Sequence, residues 1–475
     1  MIERNQPIIA IATSPGTGAV GIVRVSGIKL EDFIEALLGR KLLPRVATLC
    51  ELKDDNGATI DQLIAVYFIG PNSYTGEDVL ELQAHGGPTL LNMILERCLE
   101  LSNTQKSSHS PVLNGLRLAR PGEFTERAFL NAKLDLTQAE AVMDLISAGT
   151  KLAAQSAIRS LQGEFSKDIN TVKKRLIHLR MLVEASIDFP EEEIDFIKSE
   201  QARKLIIEIN QAIQVILLKT HQGKVLSQGV RVVIAGQPNS GKSSLMNALS
   251  GEETSIVTSI EGTTRDVLSE TISISGVPFH VSDTAGLRQN SEDEVEQIGI
   301  QRAWRRIKEA DILIFLTDLS RNEDKAYLEK NDWIIESLKD FEFKENNVLN
   351  VYNKTDLFKD DTVLDKRSKS ANEVYISAKT GEGLHELRER LLELSGWKKN
   401  SIEDIYLARQ RHIQALNSTD ENIKSALYWI FNSAPSLELI AEELRLAQNS
   451  LSEITGEFSN EDLLGEIFSN FCIGK

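Results

Sequence analysis

Cysteine is scarce: Cys50, Cys98 and Cys472 are the only three in 475 residues. Their wide separation excludes a disulfide framework and the C-x-x-C pairs of a structural zinc site. Long apolar runs are missing too. No stretch approaches the roughly 20 consecutive apolar residues that span a bilayer. The start, MIERNQPIIAIATSPGTG, lacks the basic region and apolar core of a secretory signal. The expectation is a soluble cytoplasmic chain with no membrane contact. Positive charge is in deficit, with 53 Lys and Arg against 70 Asp and Glu and a formal charge of −17. That argues against a uniformly basic nucleic-acid coat. It leaves room for a local basic groove, because fields are screened within about 8 Å at physiological salt. Apolar residues make up 41% and charged residues 26%, as in ordinary globular proteins, and the length predicts two to four domains.

What is present centres on Gly236 to Leu245, GQPNSGKSSL. It fits G-x-x-x-x-G-K-[ST], with Gly236, Gly241, Lys242 and Ser243 in the fixed places. A β-branched run, Val230 to Ala235, precedes it and a helix start, Ser244 to Leu249, follows. That strand–loop–helix context is what a phosphate-binding loop requires. Backbone N–H groups of Asn239, Ser240, Gly241 and Ser244 can converge on phosphates at a helix N-terminus. Lys242 would reach the β/γ oxygens and the Ser243 hydroxyl a Mg²⁺ ion.

Four further stretches follow in the order a guanine-nucleotide switch needs. Thr258, Ser259, Ile260, Glu261, Gly262, Thr263, Thr264 and Arg265 form a polar loop before the alternating stretch Leu268 to Ile274. A threonine there can close on Mg²⁺ and the γ-phosphate. Asp283, Thr284, Ala285 and Gly286 end a strand, with the Asp suited to the metal's water shell. Val348 to Tyr352 leads to Asn353, Lys354, Thr355 and Asp356. The Asp356 carboxylate can accept from guanine N1–H and N2–H₂, and adenine offers neither donor. At roughly 1.5–3 kcal/mol per charged hydrogen bond, guanine is favoured by about 10²-fold or more. Ser377, Ala378 and Lys379 suit backbone contact with the base's O6. The five stretches together predict a GTPase. A water-orienting Gln after D-x-x-G is missing, because Leu287 stands there. Hydrolysis therefore needs another group. Glu292, Asp293, Glu294 and Glu296 are the nearest carboxylates, and Arg265, Arg288 or a cation could neutralise charge between the phosphates.

The rest of the chain sets the architecture. Ile8–Ala12 and Gly21–Val25 read as strands of a hairpin. The literal G-x-G-x-x-G at Gly16, Gly18 and Gly21 runs into a strand, which rejects a dinucleotide fold. His85 with Gly86 and Gly87 reads as a turn or helix start, and Ser102–Gly115 as an exposed loop. Helical periodicity runs from Glu123 to Lys219, broken at Asp188–Glu193, and Gly223–Gly229 lead into the phosphate-loop strand. It returns after Gly396. The expected fold is multidomain: an N-terminal α+β domain, residues 1–121; a discontinuous all-α domain, 122–228 and 397–475; and an inserted α/β P-loop G domain, 229–396. Lys173, Lys174, Arg175 and Arg180 form a candidate patch for RNA.

These motifs and their flanks resemble the MnmE/TrmE family of tRNA-modifying GTPases over essentially the whole chain. The resemblance rests on Ser14-Pro15-Gly16 with Gly21–Gly27, on Ser73–Asp78, on Arg120–Asn131 and on the terminal Phe471-Cys472-Ile473-Gly474-Lys475. It implies a homodimer that forms a heterotetramer with an FAD- and NADH-dependent MnmG (GidA) partner. The complex adds aminomethyl or carboxymethylaminomethyl groups to C5 of the tRNA wobble uridine, U34. The one-carbon unit would come from 5-formyl- or 5,10-methylene-tetrahydrofolate, held by Arg24, Glu81, Lys133 and Lys475. An Arg and two Lys suit the folate's carboxylates, and a Glu suits the pterin's donor edge. K⁺ takes the arginine-finger role, held by Asn239, Thr258, Ile260 and Thr263, while Mg²⁺ falls to Ser243 and Thr264. Glu296 orients the attacking water when two G domains meet, and Cys472 matches the family's C-terminal cysteine. The other reading, a ribosome-assembly GTPase of the Era/Der kind, shares D-T-A-G-L and N-K-x-D. It would need an RNA-binding module that the sequence does not display.

Overall fold

A computed structural model describes residues 6–104, 111–188, 200–250, 269–283, 304–340, 347–357, 372–398, 405–432, 436–457, 461–469, 471 and 474. The chain falls into two compact units, Met1–Met143 with Asn449–Lys475, and Asp144–Gln448.

The first unit opens with β1 (Ile8–Ile11) and β2 (Gly18–Gly27), then α1 (Glu31–Leu38), β3 (Thr48–Lys53), β4 (Thr59–Phe68) and β5 (Asp78–Gly86). After these come α2 (Pro88–Asn103), β6 (Arg117–Leu118), α3 (Glu123–Leu130) and α4 (Leu136–Ser147). The strands order as β3-β4-β5-β2-β1-β6, antiparallel except for the β1–β6 pair. The β1–β2 hairpin is as the sequence predicts. Gly21 lies inside β2, where an added Cβ would sit 2.5 Å from Leu91 of α2. Close helix–sheet approach, rather than phosphate binding, explains that glycine. Alternation along the strands gives two faces. Val23, Leu63, Leu80 and Leu82 pack against Phe33, Ile34, Leu91 and Ile94 of α1 and α2. The opposite face carries Arg24 and Glu81, with Val20, Leu49 and Ile64 exposed.

Two local expectations are corrected here. His85 is on β5 rather than in a turn, and the helix starts two residues after Gly86, with Gly87 as N-cap and Pro88 at its first position. The Ser102–Gly115 stretch is not wholly an exposed loop. Ser102 belongs to α2 and is buried, and Leu113 is buried in the core.

The second unit continues with α5 (Lys151–Leu161), α6 (Glu164–Asp188), α7 (Glu200–Gln228), β7 (Val230–Ala235), α8 (Lys242–Ser250), β8 (Ser269–Ile274) and β9 (Val277–Asp283). It goes on through β10 (Ile312–Asp318), α9 (Lys325–Asp340), β11 (Val348–Asn353), β12 (Glu373–Tyr375), α10 (Leu384–Leu394), α11 (Gln410–Phe431) and α12 (Leu437–Thr455). Its sheet runs β12-β11-β10-β7-β9-β8, parallel apart from β8. Both faces are covered, so β7 and β10 read as near-continuous apolar runs. Val232 and Ile234 enter one core and Val233 and Ala235 the other. The helices before and after this insertion pack together, α7 lying along α11 and α6, and Phe165 stacks on Tyr406 at 4.5 Å.

α7 reaches Gln228, so Gly223 is helical rather than part of a lead-in segment. A Cβ there would lie 2.0 Å from the Tyr406 carbonyl oxygen, and that packing decides the residue. The first unit is completed by α13 (Glu461–Ser469), whose Leu464, Ile467 and Phe468 join Leu136 and Ala139 in one cluster with Phe471. No described helix is long and apolar enough to cross a membrane.

Candidate functional site

The carboxyl ends of β7, β9, β10 and β11 bring the sequence-predicted nucleotide residues together, where open parallel sheets bind ligands. The loop Gly236–Gly241 joins β7 to α8, with Asn239 at φ 66° and Gly241 at φ 98°, both left-handed. A Cβ on Gly236 would stand 2.4 Å from the Leu316 carbonyl oxygen of β10. The loop is thus pressed against the neighbouring strand. Lys242 is buried and curls back over it, its Nζ donating to the carbonyls of Gly236 (3.3 Å) and Gln237 (3.2 Å). Burial pushes the Lys242 ammonium below its ordinary pKa, and the Asp283 charge works against that shift. A desolvated cation facing an anion pocket gains most when a phosphate arrives. Ser243 and Ser244, in the first turn of α8, are exposed at its N-terminus.

On the base side, Asn353 ends β11, and its side chain joins two loops. Its Nδ2 donates to the Ser240 carbonyl at 2.9 Å, and its Oδ1 accepts from Ala378 N–H at 3.0 Å. The phosphate loop and the Ser377–Lys379 loop are therefore held by one buried amide. Asp356 is exposed, with its carboxylate oriented by the Ser377 hydroxyl, which donates to Oδ1 at 2.7 Å. Ser377 Oγ in turn accepts from Thr380 N–H at 3.2 Å. Lys379 is exposed at the loop's tip.

The metal corner is partly described. Burial raises the Asp283 carboxyl above the usual range, and Lys242 and a hydrogen bond from Ser243 pull the other way. Asp283 Oδ1 is buried with no hydrogen-bond partner among the described residues. An orphaned acceptor beside the Ser243 hydroxyl fits a bound hard cation. Thr258, Ser259, Ile260, Glu261, Gly262, Thr263, Thr264, Arg265, Thr284, Ala285, Gly286 and Glu296 lie outside the described residues, as do Cys472 and Lys475.

Sequence reasoning missed Asp318. It ends β10, buried, and accepts from Lys354 Nζ at 2.6 Å and from Ser320 N–H at 3.0 Å. The same Lys354 Nζ donates to the Asn239 carbonyl at 3.0 Å, so Lys354 ties the phosphate loop to β10. Tyr327 OH accepts from Asp318 N–H at 2.8 Å, and Gln237 Nε2 donates to the Tyr327 carbonyl at 2.6 Å. An Asp closing the strand run Ile312–Asp318 was the available signal.

In the first unit Arg24 and Glu81 stand opposite each other on β2 and β5. Arg24 Nε and Nη2 both approach Glu81 Oε1, at 2.9 and 2.8 Å. Nη1 donates to the Gly474 carbonyl at 3.4 Å, and the guanidinium lies 5.7 Å from the rings of Tyr74 and Phe124. The Arg24 guanidinium is thus engaged by Glu81 and the Gly474 carbonyl. Among the described residues these contacts use only Oε1 of Glu81. Lys133 Nζ donates to the Pro71 carbonyl at 2.9 Å, on the loop that carries Tyr74. Beneath them, Glu123 is buried among Arg117 and Arg127. Burial works to raise its carboxyl, but hydrogen bonds from Arg117, the Arg120 N–H and Arg127, with the Arg127 charge, hold it at about 2.

The expected basic patch on α6 breaks up. Lys173 is buried, and Arg180 is engaged by Glu184 and Gln448, leaving Lys174 and Arg175 exposed.

Two family models match the chain: the GTP-binding protein TrmE N-terminus over residues 7–133 and the MnmE helical domain over 136–472. A tRNA modification GTPase MnmE of an Acidovorax species is 52% identical over 473 residues, covering 100% of this chain and 99% of its own. The Paracidovorax citrulli protein of the same name is 52% identical with full coverage of both chains. That of Methylibium petroleiphilum is 53% identical over 476 residues, 100% of this chain and 99% of its own. With this full-length identity and a phosphate loop, guanine-reading Asp and base loop on one sheet edge, the chain belongs to the MnmE family of tRNA modification GTPases.

Proposed function

We propose that this protein hydrolyses GTP to drive modification of U34 in tRNA, within a cytoplasmic complex of its homodimer with an FAD-dependent MnmG-type subunit. The observation that carries the reading is the Asn353 bridge, which ties phosphate grip to guanine recognition. Asp356, held by Ser377, reads the base. Lys242 and the loop N–H groups take the phosphates.

A Mg²⁺ ion would be held by Ser243 and Thr264 near the orphaned Asp283 oxygen, and would neutralise phosphate charge. K⁺ would be held by Asn239, Thr258, Ile260 and Thr263, and Glu296 would orient water once two G domains meet, with Arg265 as a further catalytic cation. In the N-terminal domain Glu81 Oε2 would accept from a pterin edge while Arg24 fixes its partner oxygen. Lys133 and Lys475 would face the folate's carboxylates. Val20, Leu49 and Ile64, exposed on the Arg24 face of that domain's sheet away from Phe124, support pairing of two copies.

GTP turnover in matched KCl and NaCl, over a range of protein concentrations, tests the reading. Potassium stimulation that rises with concentration is expected. Equal rates in both salts would overturn the cation mechanism and reopen the assembly-factor reading.

A further inference from the structure

The second unit holds a cleft of about 1060 Å³ at the opposite end of its sheet from the nucleotide loop. β7 is six residues long, so the two ends are separated by about 20 Å of strand. The cleft is bounded by the end of α7, the start of β7, the approach to β10 and the return segment after α10. Both crossings between the helices and the inserted domain therefore pass along its wall. Gln222 clasps the return segment there, its Nε2 donating to the Gly396 carbonyl at 2.8 Å and its Oε1 accepting from Lys398 N–H at 3.0 Å.

The lining is basic in a chain whose formal charge is −17. Lys224, Arg231, Lys308 and Lys398 line it with His221, and Asp311 is the one acidic residue in the lining. Asp311 is taken by Arg231, at 3.4 Å. Lys224, Lys308 and Lys398 form no ion pair among the described residues. The volume is at the upper end for small-molecule pockets, which are mostly apolar. This cleft is half open, and its basic side chains stand among apolar ones such as Leu218, Val225 and Leu394. Cations with no ion-pair partner among the described residues, spaced over three separate segments, suit a run of phosphates rather than one small ligand.

We propose that this cleft binds the phosphate backbone of RNA at the root of the G domain. The proposal rests on the tRNA-modification reading above and names where this chain would touch its RNA. A strand seated there bridges α7, β7 and the return segment, so it fixes the angle between helices and G domain.

The test uses the full-length protein and a fluorescent tRNA transcript, titrated at several KCl concentrations. The variants are K224E/K308E/K398E and, as a comparison on α6, K174E/R175E. Melting and GTP binding of each variant verify that it folds. The cleft variant is expected to lose at least about tenfold in affinity near 100 mM salt. Its log K against log[KCl] slope should be shallower by about 2, since each neutralised phosphate of a single strand contributes about 0.7. The α6 variant should bind as the unmodified protein does, and inorganic polyphosphate should compete less well than tRNA. Unchanged binding in the cleft variant overturns the proposal, as does loss confined to the α6 variant or a failure of the unmodified protein to bind tRNA. Equal competition by polyphosphate overturns the assignment to RNA. Complementation separates this from the family reading. If the unmodified protein restores U34 modification in cells lacking their own copy, that reading stands whatever the cleft variant does.

Discussion

Replacing Gly241 with Ala strikes the joint between phosphate and base recognition. Gly241 sits at φ 98°, and an added Cβ would lie 2.3 Å from Asn353 Nδ2. A left-handed backbone costs a non-glycine residue roughly 1–2 kcal/mol. The methyl also displaces an amide that is 2% exposed and satisfied at both ends. Leaving the buried groups unpaired costs about 1–3 kcal/mol each. With two hydrogen bonds lost, the total is about 3–8 kcal/mol, most of it routed through Asn353. Urea unfolding followed by tryptophan emission reads it, since Trp304, Trp333 and Trp397 all lie in the inserted domain or at its edge. Asn353→Ala alone removes the same two bonds. In that background Gly241→Ala should cost only the backbone share, a coupling of at least about 2 kcal/mol. GTP affinity should fall at least about tenfold in either single variant, the loss expected for about 1.4 kcal/mol. If the two stability losses add to within about 0.5 kcal/mol, the residues act independently and the steric link is wrong.

Three other substitutions probe separate parts of the molecule. Ser377→Ala removes the hydroxyl that orients Asp356 and caps Thr380 N–H, so GTP affinity should drop about fivefold, near 1 kcal/mol, with no gain for ATP in a competition assay. Asp283→Asn replaces a buried acceptor that has no partner among the described residues. Stability without nucleotide should stay within about 1 kcal/mol while Mg²⁺-dependent GTP binding weakens at least about tenfold, and equal weakening with and without Mg²⁺ would refute the metal role. Glu123 is held at about 2 against an ordinary value of 4.5. Its folded pKa is depressed, so its stabilisation is complete above about 4.5 and disappears as pH falls towards 2. Glu123→Gln should therefore cost about 3 kcal/mol at pH 7, and the gap to the unmodified protein should close over that window in urea titrations.

Patterns local in sequence were legible. The phosphate loop needed only a strand, a glycine spacing and a helix start, and each was visible within about 20 residues. The parallel sheet showed itself as apolar runs such as Val230–Ala235. Features that depend on register were not. Arg24 and Glu81 are 57 positions apart, so only the family resemblance put them in one site, and the β2–β5 pairing is what brings them opposite one another. Gly223 looked like a helix breaker because the Tyr406 carbonyl that demands it arrives from the far side of the inserted domain. The basic α6 patch failed for the opposite reason. Periodicity put its residues on one helix but did not say that Lys173 faces inward.

The placement of the two ends of β7 and β10 gives the cleft its mechanical meaning. These strands pair over four residues and are buried on both faces. At their carboxyl ends Gly236 and Asp318 brace the nucleotide loop. At their amino ends Arg231 and Asp311 line the cleft. Close-packed strands do not stretch, so an event at either end moves the G domain as a body. What resists that motion is a shared core, in which Ala157, Leu226, Ile405 and Leu407 of the helical part pack with Val230, Ile274, Val277 and Phe279 of the sheet, and the Gln222 clasp on Gly396 and Lys398. A ligand that bridges α7, β7 and the return segment sits on the strands that carry the nucleotide loop without touching that loop. RNA bound there, as proposed, is expected to change GTP turnover while leaving the grip of the G domain on GTP unaltered.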